Sequence, residues 1–257
     1  MEKKYYNFDD FFTSYMRNAS VKYGTEAEIY HLDGKVYKIF NSTFGDRNEE
    51  SIETIGKMDS KYLTIPRELI YLGFLGYEYY GYVMDDAGDN LANILKTQDL
   101  SFDERYEILC QIKEALLYIE KMNAHHGDLT LANVLYDGKI ARIGDVNNLT
   151  VDNATPRLNY LGRFWYRTFE SYKTVDRLAF NFMTYLLLNF SLDDIRELLP
   201  NERNNPMAHR MNVLDRPNKV FDEDIWSSYE RELLRGKKLV LENKDIDKDM
   251  LLIDYLK

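Results

Sequence analysis

One short irregular segment, His125-His126-Gly127-Asp128-Leu129-Thr130-Leu131-Ala132-Asn133, constrains this chain more than any other. Ahead of it, Ser101-Phe102-Asp103-Glu104 is a capping box that opens a helix with Leu109, Ile112, Leu116 and Ile119 on its apolar face. Behind it, two short apolar runs, Val134-Leu135-Tyr136 and Lys139 to Ile143, flank the turn signal Asp137-Gly138. A fold that accepts this order has to hold a polar loop between a buried helix and a tight hairpin.

The polar groups of that loop have a chemistry in common. Asp128 and Asn133 stand five residues apart, and Asp145 follows 17 residues after Asp128, just past the hairpin in Ile143-Gly144-Asp145-Val146. Phosphoryl transfer needs a group to orient the acceptor hydroxyl, oxygen ligands for Mg²⁺, and a cation on the nucleotide phosphates. The first two are present here, and the third has to come from elsewhere in the chain.

The rest of the chain divides near residue 85. Phe8, Phe11, Phe12, Tyr15 and Met16 recur at helical spacing behind Asn7, which predicts an N-terminal amphipathic helix. Glu28–Leu32 and Lys35–Phe40 flank Asp33-Gly34 as a hairpin, a helix is expected over Asp46–Met58, and Leu69–Phe74 and Tyr79–Met84 read as strands. Beyond Asp85-Asp86-Ala87-Gly88 the pattern is largely helical, with expected helices over Val175–Asn189, from Ser191, over Glu223–Arg235 and over Asp247–Leu256. The expected class is α+β and bilobal: a small β-rich unit over residues 1–85 and a larger helical unit over 86–257.

His-Gly-Asp-Leu-Thr-Leu-Ala-Asn, a hairpin and then Asp145 resembles the catalytic loop and metal-binding Asp of the protein-kinase superfamily. The resemblance covers about residues 20–190 and implies a protein-kinase-like fold that uses ATP and Mg²⁺. It implies that Asp128 accepts or orients the acceptor proton, that Asn133 and Asp145 hold Mg²⁺, and that His126 is an internal brace. Val36-Tyr37-Lys38-Ile39-Phe40 matches the third-strand Val-Ala-Ile-Lys pattern, with Lys38 as the phosphate-binding lysine. The family pairs that lysine with a Glu of the next helix; Glu53 fits the spacing, with Glu49 and Glu50 as competitors.

Three further positions follow from the resemblance. Gly24, in Tyr23-Gly24-Thr25-Glu26-Ala27-Glu28-Ile29-Tyr30, is the one glycine kept in the phosphate-covering loop. That string is similar to the RIO kinases and to the small kinase of the tRNA-threonylcarbamoylation complex, so the chain looks like an atypical, bacterial-type Ser/Thr kinase. Met84-Asp85-Asp86-Ala87 takes the place of the hinge, with Met84 as gatekeeper and the backbone around Asp86 against adenine. Asp176 looks like the Asp that starts the central helix and braces the catalytic loop.

The pattern also departs from the family. Asp145-Val146-Asn147 replaces Asp-Phe-Gly, Gly127 stands where an Arg precedes the catalytic Asp, and Arg163-Phe164-Trp165-Tyr166-Arg167 replaces Ala-Pro-Glu. Asp176 lies 31 residues after Asp145, an interval long enough for an activation segment on which a peptide could lie. The expectation is transfer to Ser/Thr hydroxyls of a protein. The alternatives are a small-molecule kinase of the aminoglycoside or choline type and a nucleotide-binding pseudokinase.

Charge and composition exclude other classes. A net charge of −10 speaks against a general nucleic-acid surface. The single cysteine, Cys110, excludes an intrachain disulfide and a CxxC metal site. The start of the chain lacks an apolar h-region, and the run Leu178–Leu192 is broken by Asn181, Thr184 and Asn189. The expected setting is therefore cytoplasmic, with ATP and a protein substrate as partners and neither membrane nor nucleic acid among them.

Overall fold

A computed structural model describes residues 1–23, 27–40, 49–74, 77–151, 172–189, 191–198 and 251–255. The chain opens with strand β1 (Glu2–Asn7), a helical turn α1 (Phe8–Asp10) that runs into a π-helix (Phe11–Tyr15), and strand β2 (Ser20–Tyr23). Strands β3 (Ala27–Leu32) and β4 (Lys35–Phe40) follow, then helix α2 (Glu49–Ile55), β5 (Glu68–Phe74) and β6 (Tyr77–Asp85). The six strands form one sheet in the order β1-β5-β6-β4-β3-β2, with β1 parallel to β5 and the other neighbours antiparallel.

Turn chemistry fixes the sheet's central hairpin. Asp33 and Gly34 both have positive φ, 50° and 72°, as a two-residue hairpin turn with the twist of its strands requires. The register that results sets Lys38 opposite Ile29, and on the other side of β4 Lys38 lies opposite Tyr82 and Ile39 opposite Gly81. Period-two alternation then puts Val36, Lys38 and Phe40 on one face, together with Tyr82, Met84 and Ile52 of α2. Tyr37 and Ile39 face the other way, onto Phe11 and Met16. Both faces are covered, which is why β4 reads as an almost unbroken buried run.

Two short elements lead into a long helix in the second half. Strand β7 (Asp89–Asn90) and helix α3 (Leu91–Thr97) precede the long helix α4 (Phe102–Lys121). The capping box at the start of α4 is made: Glu104 N–H donates to Ser101 Oγ at 3.2 Å, and Ser101 N–H to Glu104 Oε2 at 2.7 Å. Strand β8 (Ala124–His125) precedes the His126–Asn133 segment, and strands β9 (Val134–Tyr136) and β10 (Ala141–Ile143) form the hairpin after it. Asp137 Oδ1 closes that turn by accepting the N–H groups of Lys139 and Ile140 at 2.9 and 2.7 Å.

Strand β11 (Thr150–Val151) pairs with β8, and helices α5 (Tyr172–Asn189) and α6 (Leu192–Leu198) complete the described helical part. Helix α5 is tied to α4 by a two-pronged ion pair, in which Arg177 Nε and Nη2 donate to the Glu120 carboxylate at 2.6 Å each. Arg196 of α6 donates to the carbonyls of Leu95 and Gln98, at 2.8 and 3.0 Å, and so satisfies the end of α3. A large apolar core joins α3, α4, α5 and the β9–β10 hairpin, with Phe180, Ile112 and Leu116 fully buried.

Several expectations change. Strand β1 has no counterpart in the expected elements: its side chains are mostly exposed, and its partner β5 lies 66 positions along the chain. The N-terminal helix does begin behind Asn7, whose Oδ1 accepts the Asp10 N–H at 3.2 Å. It then widens, because Met16 N–H reaches back to the Phe11 carbonyl. Helix α2 stops at Ile55, ahead of Gly56, so Met58 is buried outside it. The expected helix over Glu223–Arg235 lies outside the described residues; of Asp247–Leu256, only 251–255 are described, and Leu252–Tyr255 form a single 3₁₀ turn. Among the described residues no helix is long and apolar enough to cross a membrane.

Candidate active site

The site is built where the sheet meets the β9–β10 hairpin. Lys38, 8% exposed, reaches out of β4 from the face shared with Phe40, whose ring centroid lies 5.8 Å from its Nζ. That ammonium donates to Asp145 Oδ1 and, at 2.7 Å, to Asn147 Oδ1. Tyr82, fully buried on the neighbouring strand, donates its hydroxyl to the same Asn147 oxygen at 2.9 Å.

Asp145 sits on a strained but firmly held backbone. Its φ of 51° is left-handed, a region that Asp enters more readily than most residues, and it caps the 3₁₀ turn Val146–Asn148. The strand just before it is held from two directions. Ile143 N–H donates to the Tyr62 carbonyl at 2.9 Å, and its own carbonyl accepts the Thr64 N–H at 3.1 Å. Gly144 N–H donates to the Asn133 carbonyl at 2.6 Å, which brings Asn133 next to Asp145.

Asn133 is oriented by Asp128. Its Nδ2 donates to the Asp128 carbonyl at 2.8 Å and to Asp128 Oδ2 at 3.1 Å. With the amide nitrogen committed, Oδ1 is the atom that can face a cation.

Two buried groups hold the segment in shape. His126 is fully buried, and its Nε2–H donates to the Gly144 carbonyl at 2.9 Å while Nδ1 accepts the Asp128 N–H at 3.2 Å. A carbonyl on one side and an N–H on the other call for the neutral ring protonated at Nε2. Asp176, from the first turns of α5, accepts the N–H groups of His126 and Gly127 at 2.8 Å each. Burial pushes the Asp176 carboxyl up, against the pull of those two N–H donors.

The expected site residues do not all converge. Lys38, Asp128, Asn133 and Asp145 fall into this linked set. Glu53 does not join it: Lys3 of β1 holds it at 2.9 Å, and Lys3 also takes Glu49 at 2.6 Å. The reason is β1, which brings a lysine to the outer side of α2 that the helix pattern alone does not reveal. The side chain of Glu50 lies outside the described residues, as does Gly24. Met84 is buried on the Lys38 face of the sheet. Asp86 turns to the hairpin tip instead: its N–H donates to the Gly34 carbonyl at 2.9 Å, and its carboxylate meets His31 Nδ1 at 3.1 Å. Cys110 packs against the core, and burial pushes its thiol up, which keeps it protonated.

The chain matches no protein-family model and no curated protein. Its chemistry therefore has to be argued from these residues. Among the described residues no cluster of three or more His, Cys, Asp and Glu gathers as a transition-metal site would require. Mg²⁺ asks for less, one or two carboxylates with phosphate oxygens and water filling its shell. Asp145 and Asn133 Oδ1 make a donor set of that kind, with a cation, Lys38, at its edge. Sequence reasoning passed over Asn147 and Tyr82. The available signal was an asparagine pair, Asn147-Asn148, separated from Asp145 by Val146 alone.

Proposed function

We propose that this chain is an ATP- and Mg²⁺-dependent phosphotransferase with a bilobal protein-kinase-like fold. The observation that carries the reading is the meeting of Lys38 with Asp145 across 107 residues of sequence, beside the hydrogen-bonded Asp128 and Asn133. Lys38 stands on the third strand of the run β2, β3, β4, and α2 follows it, the order in which a protein kinase presents its phosphate-binding lysine.

The roles follow from the atoms. Asp128 orients the acceptor hydroxyl and takes its proton. Asn133 Oδ1 and Asp145 hold Mg²⁺, which supplies charge neutralisation on the phosphate oxygens. Lys38 leaves Asp145 for those same oxygens. His126 and Asp176 keep the loop at a fixed shape, so its groups need no rearrangement as charge moves. The acceptor is a Ser or Thr hydroxyl of a protein, in keeping with the 31-residue interval from Asp145 to Asp176, of which 152–171 lie outside the described residues. The likeness to the RIO and tRNA-threonylcarbamoylation kinases, with Gly24 in the phosphate-covering loop and a cytoplasmic setting, belongs to the same reading.

Incubation of the purified chain with labelled ATP and Mg²⁺, alone and with generic protein acceptors, tests it beside an Asp145→Ala control. Label that appears on protein and vanishes in the control is the expected result. Turnover only with a small cationic hydroxyl compound would move the assignment to a small-molecule kinase. Binding of nucleotide with no turnover would leave a pseudokinase.

A further inference from the structure

Lys38 and Tyr82 converge on one atom, Asn147 Oδ1, at 2.7 and 2.9 Å. An ammonium has donors only, so the atom facing it is the amide oxygen, and Tyr82 then has to donate its hydroxyl hydrogen to that oxygen too. Tyr82 is fully buried beside Phe40 on the face that carries Lys38, so its hydroxyl is a fixed point. Asn147 in turn stands two residues after Asp145, on the short 3₁₀ turn that Asp145 caps. Two adjacent strands and the segment after β10 are thus joined through one neutral oxygen.

From this geometry we infer that Asn147 is a positioning residue for Lys38, oriented by Tyr82. The inference rests on the reading of Lys38 as the phosphate-binding cation. Asp145 and Asn147 both grip the ammonium, and the first is charged whereas the second is not. A lysine side chain carries much rotamer freedom, which a single mobile partner does not remove. When Asp145 turns to a cation, its hold on Lys38 is lost, whereas the Asn147 oxygen has no charge to draw it away. It keeps the ammonium in place without competing with phosphate for it. A carboxylate at position 147 would keep the shape and both hydrogen bonds, but would set a second negative charge beside Asp145 and repel the nucleotide.

The test is a double-mutant cycle on ATP affinity, measured by calorimetry without divalent ions and again with Mg²⁺, in the full chain. Asn147→Ala is expected to weaken ATP about 10-fold, the size of a lost hydrogen bond to a charged group, and by less than about 2-fold once Lys38→Met is present. Asn147→Asp is expected to fold as the wild type does and still to bind ATP worse than Asn147→Ala. Equal losses with and without Lys38, or wild-type affinity in Asn147→Asp, would overturn the inference while leaving the phosphotransferase reading intact. Should Asn147→Ala fail to fold, Tyr82→Phe decides by the same cycle: a loss of about 3-fold that disappears with Lys38→Met supports the inference, and one that persists overturns it. A wild-type chain that takes up no ATP at all would overturn the underlying reading and the inference together.

Discussion

The carboxylate of Asp176 accepts the backbone N–H of His126 at 2.8 Å, from 50 residues further along the chain, and its second oxygen takes Gly127. One acidic side chain on a helix thus satisfies two consecutive buried donors of a loop that has no ladder of its own. Replacing Asp176 with Asn turns one oxygen into an NH₂ group and leaves a buried N–H facing a donor. The expected cost is about 1–3 kcal/mol, read from urea unfolding of the two proteins side by side.

His126 offers a sharper test of the same loop. Phenylalanine fills its volume but cannot donate to the Gly144 carbonyl or accept from the Asp128 N–H. One buried and one half-buried backbone group then lose their partners, so His126→Phe should cost about 2–5 kcal/mol. Phosphotransfer should fall further than stability does, because both ends of the broken bridge adjoin residues proposed to do the chemistry. A variant with wild-type stability would show that the ring acts by volume alone.

Glycine positions in the sheet make a matched pair. A Cβ on Gly81 would sit 2.2 Å from the Lys38 carbonyl oxygen and 3.0 Å from the Ile39 Cα, whereas one on Gly73 of β5 would meet nothing within 4 Å. Gly81→Ala has to push β4 off β6 at the residue that carries the site's ammonium, and should cost roughly 2 kcal/mol or more and weaken ATP binding. Gly73→Ala should stay within about 0.5 kcal/mol of the wild type. Thermal melting of the two variants separates these outcomes.

The attachment of β1 should show in acid. Lys3 holds Glu49 below its ordinary carboxylate range, and Lys4, with Lys35, does the same for Glu68. A carboxyl group lowered in the folded state binds its proton more readily when unfolded. Its contribution is therefore complete above the ordinary value of 4.5 and is lost as pH falls through the lower, folded-state value. Wild-type stability should fall as pH drops below about 4.5, and a Lys3→Met, Lys4→Met protein should lose less over the same range. Parallel curves for the two proteins, from denaturant titrations at successive pH values, would contradict this account.

Local signals carried the reading of the sequence a long way. Asp33-Gly34 and Asp137-Gly138 mark their hairpins through chemistry confined to two or three residues, and Ser101 with Glu104 marks the start of α4. Lys38 could be read as reaching inward because apolar residues surround it in Val36-Tyr37-Lys38-Ile39-Phe40. What could not be read depends on a distant partner. Lys3-Lys4-Tyr5-Tyr6 has no apolar alternation, and only β5 makes it a strand. Without β1, nothing in α2 says that Glu53 faces Lys3. Asn147 is a small polar residue like many others until Tyr82, from 65 positions upstream, supplies a donor.

The stitching of β10 bears on how fast this site can change state. Ile143 is bonded to residues 62–64 and Gly144 to Asn133, so the backbone that presents Asp145 is no flap. If Asp145 is to trade Lys38 for another partner, the change falls to rotation about its own side-chain bonds. Side-chain rotations of that kind are quick, ps to ns where solvent reaches them, against μs to ms for collective domain motions. Handing over a charge here is a matter of torsion angles, and it sets no slow clock for whatever reaction the site performs.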